Sequence, residues 1–214
     1  MHVVAYLAHA DDEVLGCGGL LAKFSTLNHD VTVVIASDAV IGRSDKKNIK
    51  SYAYKAAEVL GVRKLIFLDF KDQYFDDYPL IEFNRSFEKL QLNPDLLITH
   101  APYDVNKDHQ VIFRSALVVT RPILKQINVL GCEILGATEW GPVAFSPTLY
   151  VDISDFLKKK LEAMKMYSTE LRKFPHPRSL EGIQIKAKQR GMEMGCQAAE
   201  AYQVIRWFAF KSLT

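Results

Sequence analysis

Cysteine is scarce in this chain: Cys17, Cys132 and Cys196 are the only three in 214 residues, far apart and without C-x-x-C spacing. An odd, scattered set argues against a disulfide framework or a cysteine-held metal and fits reduced thiols in a cytosolic enzyme. Excess charge is missing as well, since 27 basic residues face 25 acidic ones. Without a basic run or arginine stripe there is no electrostatic footprint of a nucleic-acid binder, and a small or anionic metabolite is the natural partner. No stretch of about 18 apolar residues occurs, so no membrane span is expected. The amino terminus has no basic segment ahead of its first apolar run, which leads us to expect a soluble, unexported, cytoplasmic protein.

What the chain does have is the balance of one globular domain over residues 1–214, with 49% hydrophobic and 24% charged residues. Apolar runs alternate with amphipathic helical patterns. Val3–Ala8, Val31–Ala36, Leu65–Leu68, Leu96–Thr99 and Ile134–Thr138 read as buried strands. Helical spacing covers Val14–Phe24, Lys47–Leu60, Ile81–Leu90 and roughly Gln110–Ile127, the last interrupted near Pro122. This rhythm predicts an α/β fold, a Rossmann-like, doubly wound, mostly parallel sheet with helices on both faces. Gly61 is a helix stop, Ser154 with Asp155 a cap for a helix through Met166, and Ser179 the opening of another. Leu149–Val151 and Val204–Phe208 read as late strands.

The chemistry concentrates in two loops. Ala8-His9-Ala10-Asp11-Asp12-Glu13 sets an imidazole beside three consecutive acids directly after the first strand. Such acids repel one another, and a cation relieves the repulsion, so this reads as half of a metal site. The fourth strand runs into His100-Ala101-Pro102-Tyr103-Asp104-Val105-Asn106-Lys107-Asp108-His109, equally rich in ligand-type groups. In doubly wound sheets both loops face the crevice where strand order reverses, which brings residues about a hundred positions apart to one place.

His9-Ala10-Asp11-Asp12-Glu13 resembles the His-Pro-Asp-Asp-Glu signature of the LmbE-like, or PIG-L-type, zinc-dependent N-deacetylases, and Asp104–His109 resembles their second motif, which ends in Asp-His. Softer likenesses are Phe67-Leu68-Asp69-Phe70 with Asp72-Gln73, Thr138-Glu139-Trp140, His176-Pro177-Arg178-Ser179, Arg190-Gly191 and Ala199-Glu200-Ala201. The resemblance implies His9, Asp12 and His109 as zinc ligands and Asp11 as catalytic base. Three nitrogen and oxygen ligands leave a fourth position for water, the pattern of a catalytic zinc. It further implies removal of acetyl from an N-acetylated sugar or sugar conjugate, of N-acetylglucosamine type or nucleotide-linked.

Two departures stand out. Ala10 replaces the usual proline, which removes rigidity but no functional group. Asn106 replaces a histidine found in many relatives; it can donate to a developing oxyanion but cannot exchange a proton near neutral pH. Asp108 reads either as a support for the ligand imidazole or as a helix N-cap. Glu13 reads as an acid favoured in the first turn of a helix. His100, ending a buried strand, reads as structural, and Cys17 as core packing. Gly16, Gly18 and Gly19 point to close helix-to-sheet approach.

For substrate, Arg43 and Arg178 are candidate anion holders, each with a solvated surface arginine as the plain alternative. Trp140 and Tyr103 offer flat faces to a sugar ring, with buried packing as the alternative. Lys158-Lys159-Lys160 reads as a solvated helix face. Two rival functions remain on this reading: a magnesium-dependent phosphoryl-transfer enzyme of similar fold, and a sugar-binding protein that keeps the metal without turnover. A homo-oligomer is compatible with the sequence.

Overall fold

A computed structural model describes residues 1–37 and 49–208 of the chain. Its centre is a seven-stranded sheet: β1 (His2–Leu7), β2 (Asp30–Ser37), β3 (Lys64–Phe70), β4 (Leu96–His100), β5 (Asn128–Cys132), β6 (Leu149–Asp152) and β7 (Ala199–Arg206). The spatial order is β3-β2-β1-β4-β5-β7-β6. The first five strands pair in parallel, with Val3 opposite Val31 on one side and Leu96 on the other, and β7 runs antiparallel to both neighbours.

The unbroken apolar run in β1 follows from burial on both faces. Val3, Ala5 and Leu7 face a core shared with α1 (Asp12–Thr26), α2 (Ile49–Leu60), α5 (Leu157–Met166) and α6 (Leu180–Met194). Val4, Tyr6 and Ala8 face a second core closed by Phe83 and Phe87 of α3 (Leu80–Glu88) and by Ile112 and Ala116 of α4 (Lys107–Val119). Each fully buried Leu, Ile or Phe contributes about 1.5–3 kcal/mol relative to exposure.

α1 is not one straight helix. Cys17 leaves helical geometry (φ −146°, ψ 16°), and past this kink the amides of Gly19 and Leu20 donate to the Glu200 carboxylate of β7 at 2.8 Å each. Lys160 Nζ bridges Glu200 Oε1 at 2.6 Å and the Leu15 carbonyl at 2.9 Å, and the Tyr202 hydroxyl donates to Glu200 Oε2 at 2.8 Å. Lys160 is therefore a buried, paired cation, which corrects the reading of its lysine run as a wholly solvated face. Close approach does explain two of the glycines: a Cβ on Gly16 would meet Cys132 Sγ at 2.6 Å, and one on Gly19 would meet Ile153 at 2.7 Å.

Other expectations also shift. The strand expected at Ile134–Thr138 is a turn, in which Thr138 Oγ1 accepts the Ile134 amide; the strand itself lies at Asn128–Cys132, because two short apolar runs in series satisfy a strand pattern equally well. The last strand begins at Ala199 rather than Val204. α4 stops at Val119, ahead of Pro122, instead of continuing to Ile127. Ser154 donates to Asp152 Oδ1 and does not cap α5, whose N-cap position is Phe156. Gly61 (φ 76°) and Ser179, which accepts the Gly182 amide, stop and start helices as read.

Candidate functional site

Strand order reverses between β1 and β4, so the loops after these two strands share one crevice at the carboxyl edge of the sheet. Asp11, at the entry to α1, has φ 110° and ψ −25°, a left-handed backbone that few residues other than glycine adopt. Its amide donates to Glu13 Oε2 at 3.0 Å, while the Tyr167 hydroxyl donates to Glu13 Oε1. Glu13 thus braces the turn, a role beyond the helix-dipole reading.

Asp12 Oδ2 lies 3.4 Å from His9 Nδ1 and 3.4 Å from His109 Nε2, and the two ring nitrogens are 3.2 Å apart. The opposite nitrogens are each backed by carboxylate. His9 Nε2 is 3.1 Å from both Asp108 Oδ2 and Asp72 Oδ1, and His109 Nδ1 is 3.1 Å from Asp104 Oδ2. Such partners fix ring orientation and raise ligand basicity. Asp108 is itself held by the amides of Gln73 (2.7 Å) and Phe75 (3.2 Å), and Asp104 by the Thr138 hydroxyl (2.7 Å).

Asp12 Oδ1 is buried without a hydrogen-bond partner among the described residues. A buried carboxylate oxygen left unpaired is costly, and a cation would satisfy it. Two nitrogens and a carboxylate beside an open cleft fit a catalytic metal ion with a position left for water. His9, Asp72 and Asp108 form a second group of ligand-type atoms, but both Asp108 oxygens already accept backbone amides, so that group supports His9.

Burial opposes charge on His109, yet Asp12 and Asp104 outweigh it and push its pKa up to about 9. For His9, burial is likewise outweighed, by Asp108, Asp12 and Asp72, and its pKa lies well above the usual range. Asp12 is held well below the carboxylate range, because His109 overcomes the burial cost. Burial raises Asp11 to about 7 against the pull of Arg178, and Glu13 to about 8 against that of Tyr167. His100 is kept neutral by burial; its Nε2 accepts the Ala8 amide at 2.9 Å, and its ring stacks on His109 at 4.0 Å.

The crevice opens into a cleft of about 750 Å³ lined by His9, Asp11, Asn106, Asp108, Glu170 and Arg178, among others. Of the residues singled out in the sequence, His9, Asp11, Asp12, Asn106, Asp108, His109 and Arg178 meet here. Three contacts differ from expectation. Arg178 Nη1 donates to Asp11 Oδ2 at 3.1 Å, so it is tied to the protein's own carboxylate. Asp108 turns to His9 instead of its neighbour His109, and the N-cap of α4 is Asn106, whose side chain accepts the Asp108 amide at 2.9 Å. Trp140 is 57% exposed, lies outside the described lining of the cleft and sets its ring against His176 at 5.7 Å. Arg43 lies outside the described residues. Sequence reasoning missed Asp104 as a partner of His109, although it opens the second motif, and Asp72 as a partner of His9. Tyr167 carries no local signal.

The family model described as PIG-L, GlcNAc-PI de-N-acetylase, matches residues 4–120, the stretch holding both loops. Over 180 residues the chain is 24% identical to the uncharacterized deacetylase YaiS of Escherichia coli K12, covering 78% of this chain and 90% of YaiS. It is similar in structure to N,N'-diacetylchitobiose deacetylase from Pyrococcus horikoshii, with a TM-score of 0.78 at 19% identity over 100% of this chain and 88% of the other. It is also similar to GalB, the 4-carboxy-2-hydroxymuconate hydratase from Pseudomonas putida KT2440, with a TM-score of 0.74 at 20% identity over 100% and 99%. These two structural likenesses establish the fold, which hosts more than one reaction. Because the family match spans more than half of the residues and both site-forming loops, the chain belongs to the PIG-L (GlcNAc-PI de-N-acetylase) family.

Proposed function

We propose that this protein is a zinc-dependent N-deacetylase that hydrolyses the acetamide of an N-acetylglucosamine-type sugar or sugar conjugate to acetate and the free amine. The observation that carries the reading is the convergence of His9 Nδ1, His109 Nε2 and Asp12 Oδ2 within 3.4 Å, beside a separate buried carboxylate, Asp11. His9, Asp12 and His109 would hold the zinc. When bound, zinc polarises the amide carbonyl and lowers the pKa of water to about 7.

Asp11 takes a proton as water adds to the carbonyl and returns one to the departing nitrogen. Arg178, fixed by its second bond from Nε to the Leu135 carbonyl at 3.0 Å, aims that carboxylate and opposes the burial that raises its pKa. Asn106 spends its side-chain oxygen on the Asp108 amide, which leaves its NH2 free to donate to the developing oxyanion. Asp108 and Asp104 hold the two imidazoles. A cleft lined by carboxylates and guanidinium groups suits a hydroxyl-rich ligand better than an apolar one.

Acetate release from a panel of N-acetylglucosamine derivatives, free, glycosidic and nucleotide-linked, tests the reading with protein that is first chelated and then reloaded with zinc. Turnover restored by zinc supports it. Zinc bound one to one with no acetate from any substrate sinks the deacetylase assignment, including in favour of hydration, which yields no acetate.

A further inference from the structure

Beside the cleft lies a second cavity, of about 240 Å³, between the 3-10 turn Phe75–Asp77 and the exposed face of α4. Its α4 wall is Lys107, Gln110, Val111 and Arg114, which the spacing i, i+3, i+4, i+7 gathers on one helix face. Opposite stand Phe75, Asp76, Tyr78 and Leu80, so the two cations of the α4 wall face one carboxylate. Asp76 and Lys107 border both cavities, so the two form one continuous surface, with the His9 side at one end and Arg114 at the other.

The far wall is rigidly tied to the candidate metal centre. Asp108 accepts the amides of Gln73 and Phe75 with the same carboxylate that faces His9 Nε2, and the Phe75 ring lies 5.9 Å from the His9 ring. A ligand group anchored at His9, Asp12 and His109 therefore meets this wall at a fixed separation.

The chemistry of the cavity is specific. Phe75, Tyr78, Leu80 and Val111 give it an apolar floor. Among the described residues neither the Lys107 nor the Arg114 side chain makes a hydrogen bond or ion pair, while Gln110 Nε2 is spent on the Asp104 carbonyl at 2.7 Å, leaving its oxygen to accept. Lys107 and Arg114 together outweigh the single carboxylate of Asp76, and a guanidinium beside an apolar floor suits a planar anion carried on a ring. At about 240 Å³ the cavity is larger than a lone anion needs and has room for a sugar ring.

We propose that this cavity is the subsite for the sugar adjoining the acetamido residue, and that this sugar is a uronic acid. Its C–H face covers Tyr78, Leu80 and Val111, and its carboxylate takes Arg114 and Lys107. The inference rests on the N-deacetylase reading above, because the acetamido ring at the metal centre is what delivers its neighbour to the subsite.

The test compares zinc-loaded protein on two disaccharides identical except for the carboxylate, N-acetylglucosaminyl-glucuronic acid and N-acetylglucosaminyl-glucose. The expected kcat/KM advantage of the uronate is about tenfold or more, equivalent to about 1.4 kcal/mol. It shrinks as sodium chloride rises from about 50 to about 500 mM. Arg114→Gln brings the ratio close to one, whereas Arg63→Gln, which removes an exposed cation just ahead of β3, leaves the ratio as it was. A wild-type ratio near one, or a ratio unmoved in Arg114→Gln, overturns the subsite. Should neither disaccharide release acetate, calorimetric binding of the same pair separates the two ideas. Tighter uronate binding that depends on Arg114 keeps the subsite and discards the deacetylase reading, and equal binding overturns the subsite.

Discussion

Arg178 donates through Nη1 to Asp11 Oδ2 at 3.1 Å, a contact between residues 167 positions apart in the chain. It joins the proline-broken loop ahead of α6 to the turn after β1. The guanidinium opposes the burial that raises the Asp11 pKa. In Arg178→Gln that opposition is lost, Asp11 holds its proton to higher pH, and the base is inactive over a wider acidic range. The acidic limb of the kcat/KM profile should move upward by about one pH unit and kcat should fall about tenfold. A limb that does not move would mean that Arg178 serves the substrate and not the base.

Zinc uptake should release protons. His109, its pKa pushed up to about 9 by Asp12 and Asp104, holds a proton at neutral pH without metal, and a ligating nitrogen must be unprotonated. Apparent zinc affinity therefore rises with pH through the range from about 7 to about 9. Calorimetry at pH 7 in buffers of different ionisation enthalpy should count at least one proton released per zinc. A count of zero contradicts the ligand set.

How much of this was legible beforehand depends on the distance over which each feature is encoded. Strands β1 to β4 and the two ligand loops were readable because their patterns are local: unbroken apolar runs, then acids and histidines at a strand end. The sequence pattern does not place β5, because Val129–Cys132 and Ile134–Leu135 are equally apolar, and only the pairing with β4 tells them apart. The pairing of Asp108 with His9 and of Asp104 with His109 crosses loops that only the fold brings together. In the sequence Lys160 is one lysine among three, and Glu200, its partner 40 residues away, decides its burial.

Tyr167→Phe should remove the hydroxyl that satisfies the buried Glu13 carboxyl. Leaving such a group unpaired costs about 1–3 kcal/mol, read as a lower midpoint in urea unfolding. Because Glu13 also accepts the Asp11 amide, kcat should fall in the same variant with KM little changed. An unchanged midpoint would show that Glu13 finds another partner.

Lys160→Met should destabilise the fold by about 3 kcal/mol, the low end for breaking a buried ion pair, since Glu200 keeps the Gly19, Leu20 and Tyr202 donors. Adding Glu200→Gln should recover part of the loss by removing the stranded charge. A double variant less stable than the single one contradicts this account of the clasp.

The most direct measurement is made on Asp11→Asn, assayed for zinc content and for acetate release from the best N-acetylglucosamine substrate in the same preparation. Asp11 sits beside the three proposed ligands without belonging to them, so the variant should bind one zinc per chain while losing about 10²- to 10⁴-fold in kcat. Full turnover in the variant would contradict the assignment of the base, and loss of zinc together with activity would contradict the separation of base from ligands on which the mechanism depends.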